Sequence, residues 1–173
     1  MKPRIPIPPE VLSADGGRLY PLLNEGSDFT VVIVALSYLD ACLTSLLSKC
    51  FRESSISDEL LDANKGALST LTSKTNLAYV LGLIDKPMLQ DLIVLARLRN
   101  LVAHSHFELA FHSNELQDLC GQLRYIAQLK DAGTGNAIFD PDQYRAPRNK
   151  FILTAITLWN RVLLTALDTK HAA

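Results

Sequence analysis

Residues 28 to 51, DFTVVIVALSYLDACLTSLLSKCF, carry apolar side chains on nearly every helical face and contain neither glycine nor proline. This run constrains the fold more than any other feature of the chain. Its β-branched cluster, Thr30 to Val34, would also suit a strand, but the segment continues without a breaker far beyond the usual strand length, so it reads as a helix. A helix that is apolar all round cannot lie on a surface and must be covered by its neighbours. Ser27 stands where its hydroxyl can cap the first turn. The chain is therefore expected to wrap other elements around one central helix.

The remaining segments supply those covers. A polar break from Arg52 to Ser57 leads to a short helix around Asp58 to Asn64, closed by Gly66. LSTLTSKTNLAYVLGLI follows, with Leu71, Leu77, Ala78, Val80 and Leu81 at helical spacing and Gly82 as a stop. Asp85 can cap the next helix, with Pro87 in its first turn. Met88, Leu92, Leu95, Arg99 and Val102 then recur at steps of four, three, four and three on one face. Another helix is predicted from Ser113 or Asn114 through ELQDLCGQLRYIAQL, and residues 130 to 148 read as a long loop. The last helix has the broadest apolar stripe, running from Phe151 through Trp159 to Leu167. No convincing strand or repeat appears. The prediction is an all-α bundle of about five main helices in one domain, residues 27–171, preceded by an extended proline-rich arm, residues 1–26.

With 173 residues, 48% of them hydrophobic, the chain can build one sizeable core. A formal net charge of −1 gives no bulk attraction to phosphate backbones or anionic membranes, so direct DNA binding is not expected. The helices after tight turns, at Asp85 and Ser113, are rich in apolar residues rather than lined with the polar groups of a helix-turn-helix reader. A regulator built this way would act through a protein partner. Cys42, Cys50 and Cys120 form no C-x-x-C pair and are odd in number, which suits a reducing cytoplasm rather than a disulfide framework. The start MKPRIPIPPE lacks the apolar core of a signal peptide. The greasiest run, Phe29 to Leu39, falls short of a membrane span, so no membrane association is expected. Phosphate-binding loops and serine-hydrolase elbows are absent, no cofactor is implied, and His104, His106 and His112 lack the spacing of a metal site. The all-apolar central helix and the free arm point to a homodimer.

The sequence RNLVAH, residues 99 to 104, carries the densest potential chemistry. Arg99 interrupts an apolar stripe, and Asp40 interrupts the central helix. Buried charges are costly unless paired, so an Asp40–Arg99 ion pair is expected, the alternative being two residues at helix edges with their heads in water.

Several separated signatures, SDFTVVIVALSYLDACL, LSTLTSKTNLAYVLGLI, DLIVLARLRNLVAH, F-x-x-x-ELQDLC and the R-N-K-F start of the last helix, together resemble the mannitol operon repressor family. The resemblance covers most of residues 27 to 165. It implies an all-helical cytoplasmic bacterial protein and a regulatory or interaction role. Arg99-Asn100-x-x-x-His104 also resembles the R-x4-6-H signature of HEPN domains, which include dimeric metal-independent ribonucleases and inactive RNA-binding relatives. In that alternative His104 would move a proton, Arg99 would stabilise the developing phosphate charge and Asn100 would orient either. On an ideal helix Asn100 and His104 share a face, whereas Arg99 lies about 140° from His104, so a fraying helix or a second chain would have to complete the set. The bland reading is that Asn100 and His104 close the helix end, where a histidine is favourable.

Overall fold

The structure, a computed structural model, describes residues 6–105 and 110–169. Among these the chain is helical apart from turns and one isolated bridge between Lys130 and Ala137. The elements are α1 (Pro9–Asp15), a 3-10 turn (Gly16–Leu19), α2 (Tyr20–Glu25), α3 (Asp28–Cys50), α4 (Ser55–Leu61), α5 (Leu71–Val80), α6 (Lys86–His104), α7 (Asn114–Gln122), α8 (Tyr125–Gln128) and α9 (Pro147–Asp168), with a second 3-10 turn at Pro141–Tyr144. The five main helices of the predicted all-α bundle are α3, α5, α6, α7 and α9.

The apolar run does form the central helix. Val31, Val32, Ala35, Leu36, Leu39, Leu43, Leu46 and Leu47 on α3 are fully buried. α9 lies along α3 and contributes Phe151, Ala155, Leu158, Trp159 and Val162, while α5 and α6 cover other faces. Burying each large aliphatic side chain favours the fold by roughly 1.5–3 kcal/mol, which makes this pair of helices the main source of cohesion. By length and composition alone α3 and α9 could each cross a membrane, but their apolar faces are spent on one another and on their neighbours.

Local signals set the helix starts. The side chains of Ser27, Ser54, Thr70 and Asp85 accept from the backbone N–H groups of Thr30, Ser57, Ser73 and Met88, at 3.2, 3.1, 3.0 and 2.9 Å. α5 ends where Gly82 takes φ +72°. The Leu83 N–H then bonds to Ala78 O and the Gly82 N–H to Tyr79 O, both at 2.9 Å, pairing two carbonyls of the last turn.

Two expectations need correction. The proline-rich arm is not extended between Pro9 and Glu25. Pro9 occupies the first turn of α1, where its fixed φ is preorganised and its missing N–H costs nothing, and Leu12 and Leu23 are buried. The packed body therefore starts well before residue 27. The helix predicted from Ser113 to Leu129 is also broken in two. Between α7 and α8 the N–H groups of Arg124 and Tyr125 turn to the Asp91 carboxylate on α6, at 2.9 to 3.1 Å.

Candidate functional site

The RNLVAH stretch is the last turn and a half of α6. Val102 is buried and Leu101 half-buried, and Ser105 closes the helix, its hydroxyl donating to Val102 O at 2.8 Å. Asn100 and His104 are exposed, while Arg99 is half-buried. Among the described residues none of the three makes a side-chain hydrogen bond or an ion pair with another. The structure places Asn100 and His104 one turn apart and does not bring Arg99 against them. Of the three histidines considered for a metal, His104 and His112 are exposed and His106 lies outside the described residues. No group of three or more His, Cys, Asp or Glu side chains among the described residues could hold a metal ion.

The expected Asp40–Arg99 pair is replaced by another. Asp40 Oδ2 accepts from Lys74 Nζ at 2.7 Å, and the Lys74 side chain is 2% exposed. The reasoning that an α3 charge needs a partner holds, but that partner comes from α5. Arg99 can keep its guanidinium toward water because the half-buried position lets its stem cover the stripe. Lys74 gave no signal, because LSTLTSKTN is a polar stretch in which a lysine reads as a solvated face. Asp40 Oδ1 is buried without a hydrogen-bond partner, so this centre is incompletely satisfied.

Two further carboxylates organise the molecule. Asp91 is buried, which raises its pKa above the usual carboxylate value, against the opposing pull of the Arg124 and Tyr125 N–H groups and of the nearby Lys150 and Arg124 charges. Lys150, from the R-N-K-F signature, has its pKa lowered by burial and by Arg124. It donates to Gly121 O at 3.4 Å, next to the break between α7 and α8. The other carboxylate, Asp28, binds Arg148 of the same signature, whose guanidinium also reaches Leu23 O at 3.1 Å, Asn24 O at 3.3 Å and Gly26 O at 2.7 Å. The most polar part of that signature is thus structural.

Open concave surface lies elsewhere. One cleft of about 470 Å³ sits between the α5–α6 turn, α8 and α9, with Asp85, Tyr125, Gln128 and Arg161 among its polar lining. Burial raises the Tyr125 pKa, while the Arg161 charge and hydrogen bond oppose the rise. A second cleft of about 410 Å³ runs between α6 and α7, lined by Arg97, Leu101, Glu115, Asp118, Leu119 and Gln122, with Arg97 bonded to Gln122 at 3.2 Å. Neither cleft is lined by Arg99, Asn100 or His104. The second adjoins them through Leu101, on a face of mixed charge.

Against known proteins, residues 18–158 match the family model described as Mannitol repressor, MtlR. No curated protein matches the chain. Among solved structures, a chain in the X-ray structure of the MtlR–HPr complex from Escherichia coli is 25% identical, with a TM-score of 0.63 over 86% of this chain and 98% of that one. The possible transcriptional regulator YggD from Shigella flexneri 2a str. 2457T, 15% identical, shares the fold with a TM-score of 0.56 over 96% of this chain and 99% of that one.

Proposed function

This chain belongs to the mannitol repressor family, and from that premise we propose that it is a non-enzymatic cytoplasmic regulator that acts by docking a protein partner, an HPr protein being the first candidate. The observation that carries the reading is the likeness, over nearly its whole length, to a chain from the MtlR–HPr complex.

The chemistry of the surface supports it. Direct reading of DNA needs a stripe of available cations. Here two basic side chains are taken up inside the bundle, Lys74 by Asp40 and Arg148 by Asp28 and three carbonyls. The formal net charge is −1. A ribonuclease centre would need Arg99, Asn100 and His104 to converge on one phosphate, and within one chain they do not. Cys42, Cys50 and Cys120 are free thiols, as suits a reducing compartment.

Calorimetric titration of the purified chain with purified HPr tests the proposal, alongside fluorescence anisotropy with duplex DNA from its own operon region. Saturable binding of HPr with no salt-sensitive DNA binding is the expected result. Absence of HPr binding at tens of micromolar together with direct, salt-sensitive DNA binding would overturn it.

A further inference from the structure

Where α5 turns into α6 the chain presents an apolar ridge to solvent. Val80 is 78% exposed, more than any other large apolar side chain among the described residues, and its neighbours Tyr79 and Leu81 are 40% and 46% exposed. Single exposed apolar residues are ordinary, but three in succession form a continuous patch. Gly82 closes the ridge with φ +72°, and nothing lies within 4 Å of a Cβ built there, so the space beside the ridge is open.

The same turn is one wall of the 470 Å³ cleft, which Gly82 lines together with the half-buried Leu83, Pro87 and Leu129. On its far side the exposed Ile138 adjoins Leu129, its N–H bonded to Leu129 O at 3.1 Å. The cleft also carries one charge of each sign. Asp85 gives Oδ1 to the Met88 N–H at 2.9 Å, and Arg161 reaches the Tyr125 hydroxyl. Both are exposed, neither belongs to an ion pair among the described residues, and both act on the Tyr125 phenol, which places them around one site.

An apolar ridge beside an apolar cleft, and an unpaired cation beside an unpaired anion, make a face that fits a copy of itself. A two-fold axis through this face lays the ridge of each copy over the cleft of the other and turns Asp85 of each toward Arg161 of the other. A partner offering one sign of charge would meet one of these groups and oppose the other, whereas a second copy offers both. Nothing in the chain's own fold can do this, because ridge and cleft are neighbours on the same turn. We propose that this face is the interface of a symmetric homodimer, with the Tyr79–Leu81 ridges and clefts engaged reciprocally and Asp85 paired with Arg161 across the axis. The dimer is separate from the docking of HPr and is tested on the purified chain alone.

Sedimentation velocity over a concentration series measures the dimer in the parent and in Val80→Lys, Arg161→Asp and Asp85→Lys, each first checked for helical content by circular dichroism. The parent is expected to dimerise, and each variant to weaken the dimer by about tenfold or more, the scale of one lost apolar anchor or one charge pair turned repulsive. Mixing supplies the decisive arm. Arg161→Asp alone sets two carboxylates against each other across the axis, and Asp85→Lys alone sets two cations. A heterodimer of the two variants has opposite charges at both contacts, so equal amounts mixed together are expected to recover the parent's dimer. Val80→Lys, at an exposed position in the last turn of α5, keeps the test decisive should loss of the Asp85 cap unfold that variant. A parent that stays monomeric at every concentration overturns the proposal. So does a dimer that survives Val80→Lys and Arg161→Asp, since it then uses another surface, and so does a mixture of folded variants that remains monomeric, since the two charges then do not meet.

Discussion

Lys74 shows what one buried charge requires. Its ammonium is almost wholly out of water and depends on Asp40, whose side chain is 21% exposed and leaves one oxygen without a partner. Removing the carboxylate strands the deeper charge, so Asp40→Ala is expected to cost about 3 kcal/mol or more. Lys74→Met should cost less, because Asp40 keeps some access to water. The double change Asp40→Leu/Lys74→Met should recover most of the loss, and urea denaturation of the four proteins checks the order. Arg99→Ala should stay within about 1 kcal/mol, since no described residue pairs with it. His104→Ala belongs beside it: an exposed histidine in the last turn of α6 contributes less than about 1 kcal/mol, and neither parent nor variant should cleave RNA in chelator. Cleavage that vanishes in the variant at unchanged melting temperature would revive the HEPN reading. At this scale the sequence revealed that the Asp40 charge needs a partner, but not that Lys74 supplies it, nor that Arg99 does without one among the described residues. Periodicity reports the face a residue lies on within its own helix and carries no information about which helix will face it.

The starts of α3 and α6 were legible because their causes are local, whereas α4 begins at Ser55, three residues before the expected Asp58. Ser27 and Asp85 cap within three residues of themselves, and Gly82 stops α5 through its own backbone. Gly82→Ala, with φ at +72° and open space around the added methyl, should therefore cost about 1 kcal/mol of purely conformational origin, read as a lower denaturation midpoint at unchanged slope. The break between α7 and α8 was not legible, because its cause is Asp91, far away in sequence on α6. Asp91→Ala would leave the Arg124 and Tyr125 N–H groups without their acceptor and should cost roughly 1–3 kcal/mol, while Asp91→Asn keeps an acceptor and should cost less. The pH dependence has a definite sign. Burial raises Asp91 above its ordinary value of 3.8, so the folded state holds this proton more tightly than the unfolded chain. Its contribution is full below 3.8 and is lost as pH rises through the raised folded value. The stability difference between parent and Asp91→Asn should follow that sign across the acidic range, and a difference that does not vary with pH would show that Asp91 does not titrate there. The proline-rich N-terminus was misread for a related reason: proline counts suggest an extended chain, but Pro9 and Pro21 each fall in the first turn of a helix, where proline is compatible with α-structure.

For the molecule as a whole, the central place of α3 followed from hydropathy alone, whereas its pairing with α9 did not, and the closure of the chain around that pair depends on one node the sequence disguised. The R-N-K-F stretch was legible as a family signature and silent about its role. In the fold, Arg148 at the start of α9 binds Asp28 at the start of α3 and the carbonyls of Leu23, Asn24 and Gly26 at the end of α2, while the second Asp28 oxygen accepts from the Phe111 N–H, before α7, at 2.8 Å. Three segments distant in the chain, residues 23–28, Phe111 and Arg148, therefore meet at a single guanidinium–carboxylate pair, each side chain 25% exposed. A planar fork with five donors can serve a carboxylate and several carbonyls together, and an ammonium cannot. Arg148→Lys should then lose most of what Arg148→Ala loses, with both destabilised by about 2–4 kcal/mol, the range expected when hydrogen bonds to a charged group and their acceptors are stranded. The loss should also be regional. Amide exchange is expected to accelerate in α2 and at Phe111 while the central turns of α3 keep their protection, because those turns are held by α9 through apolar contact independent of the node. Uniform acceleration across α3 would mean instead that Arg148 supports the core itself.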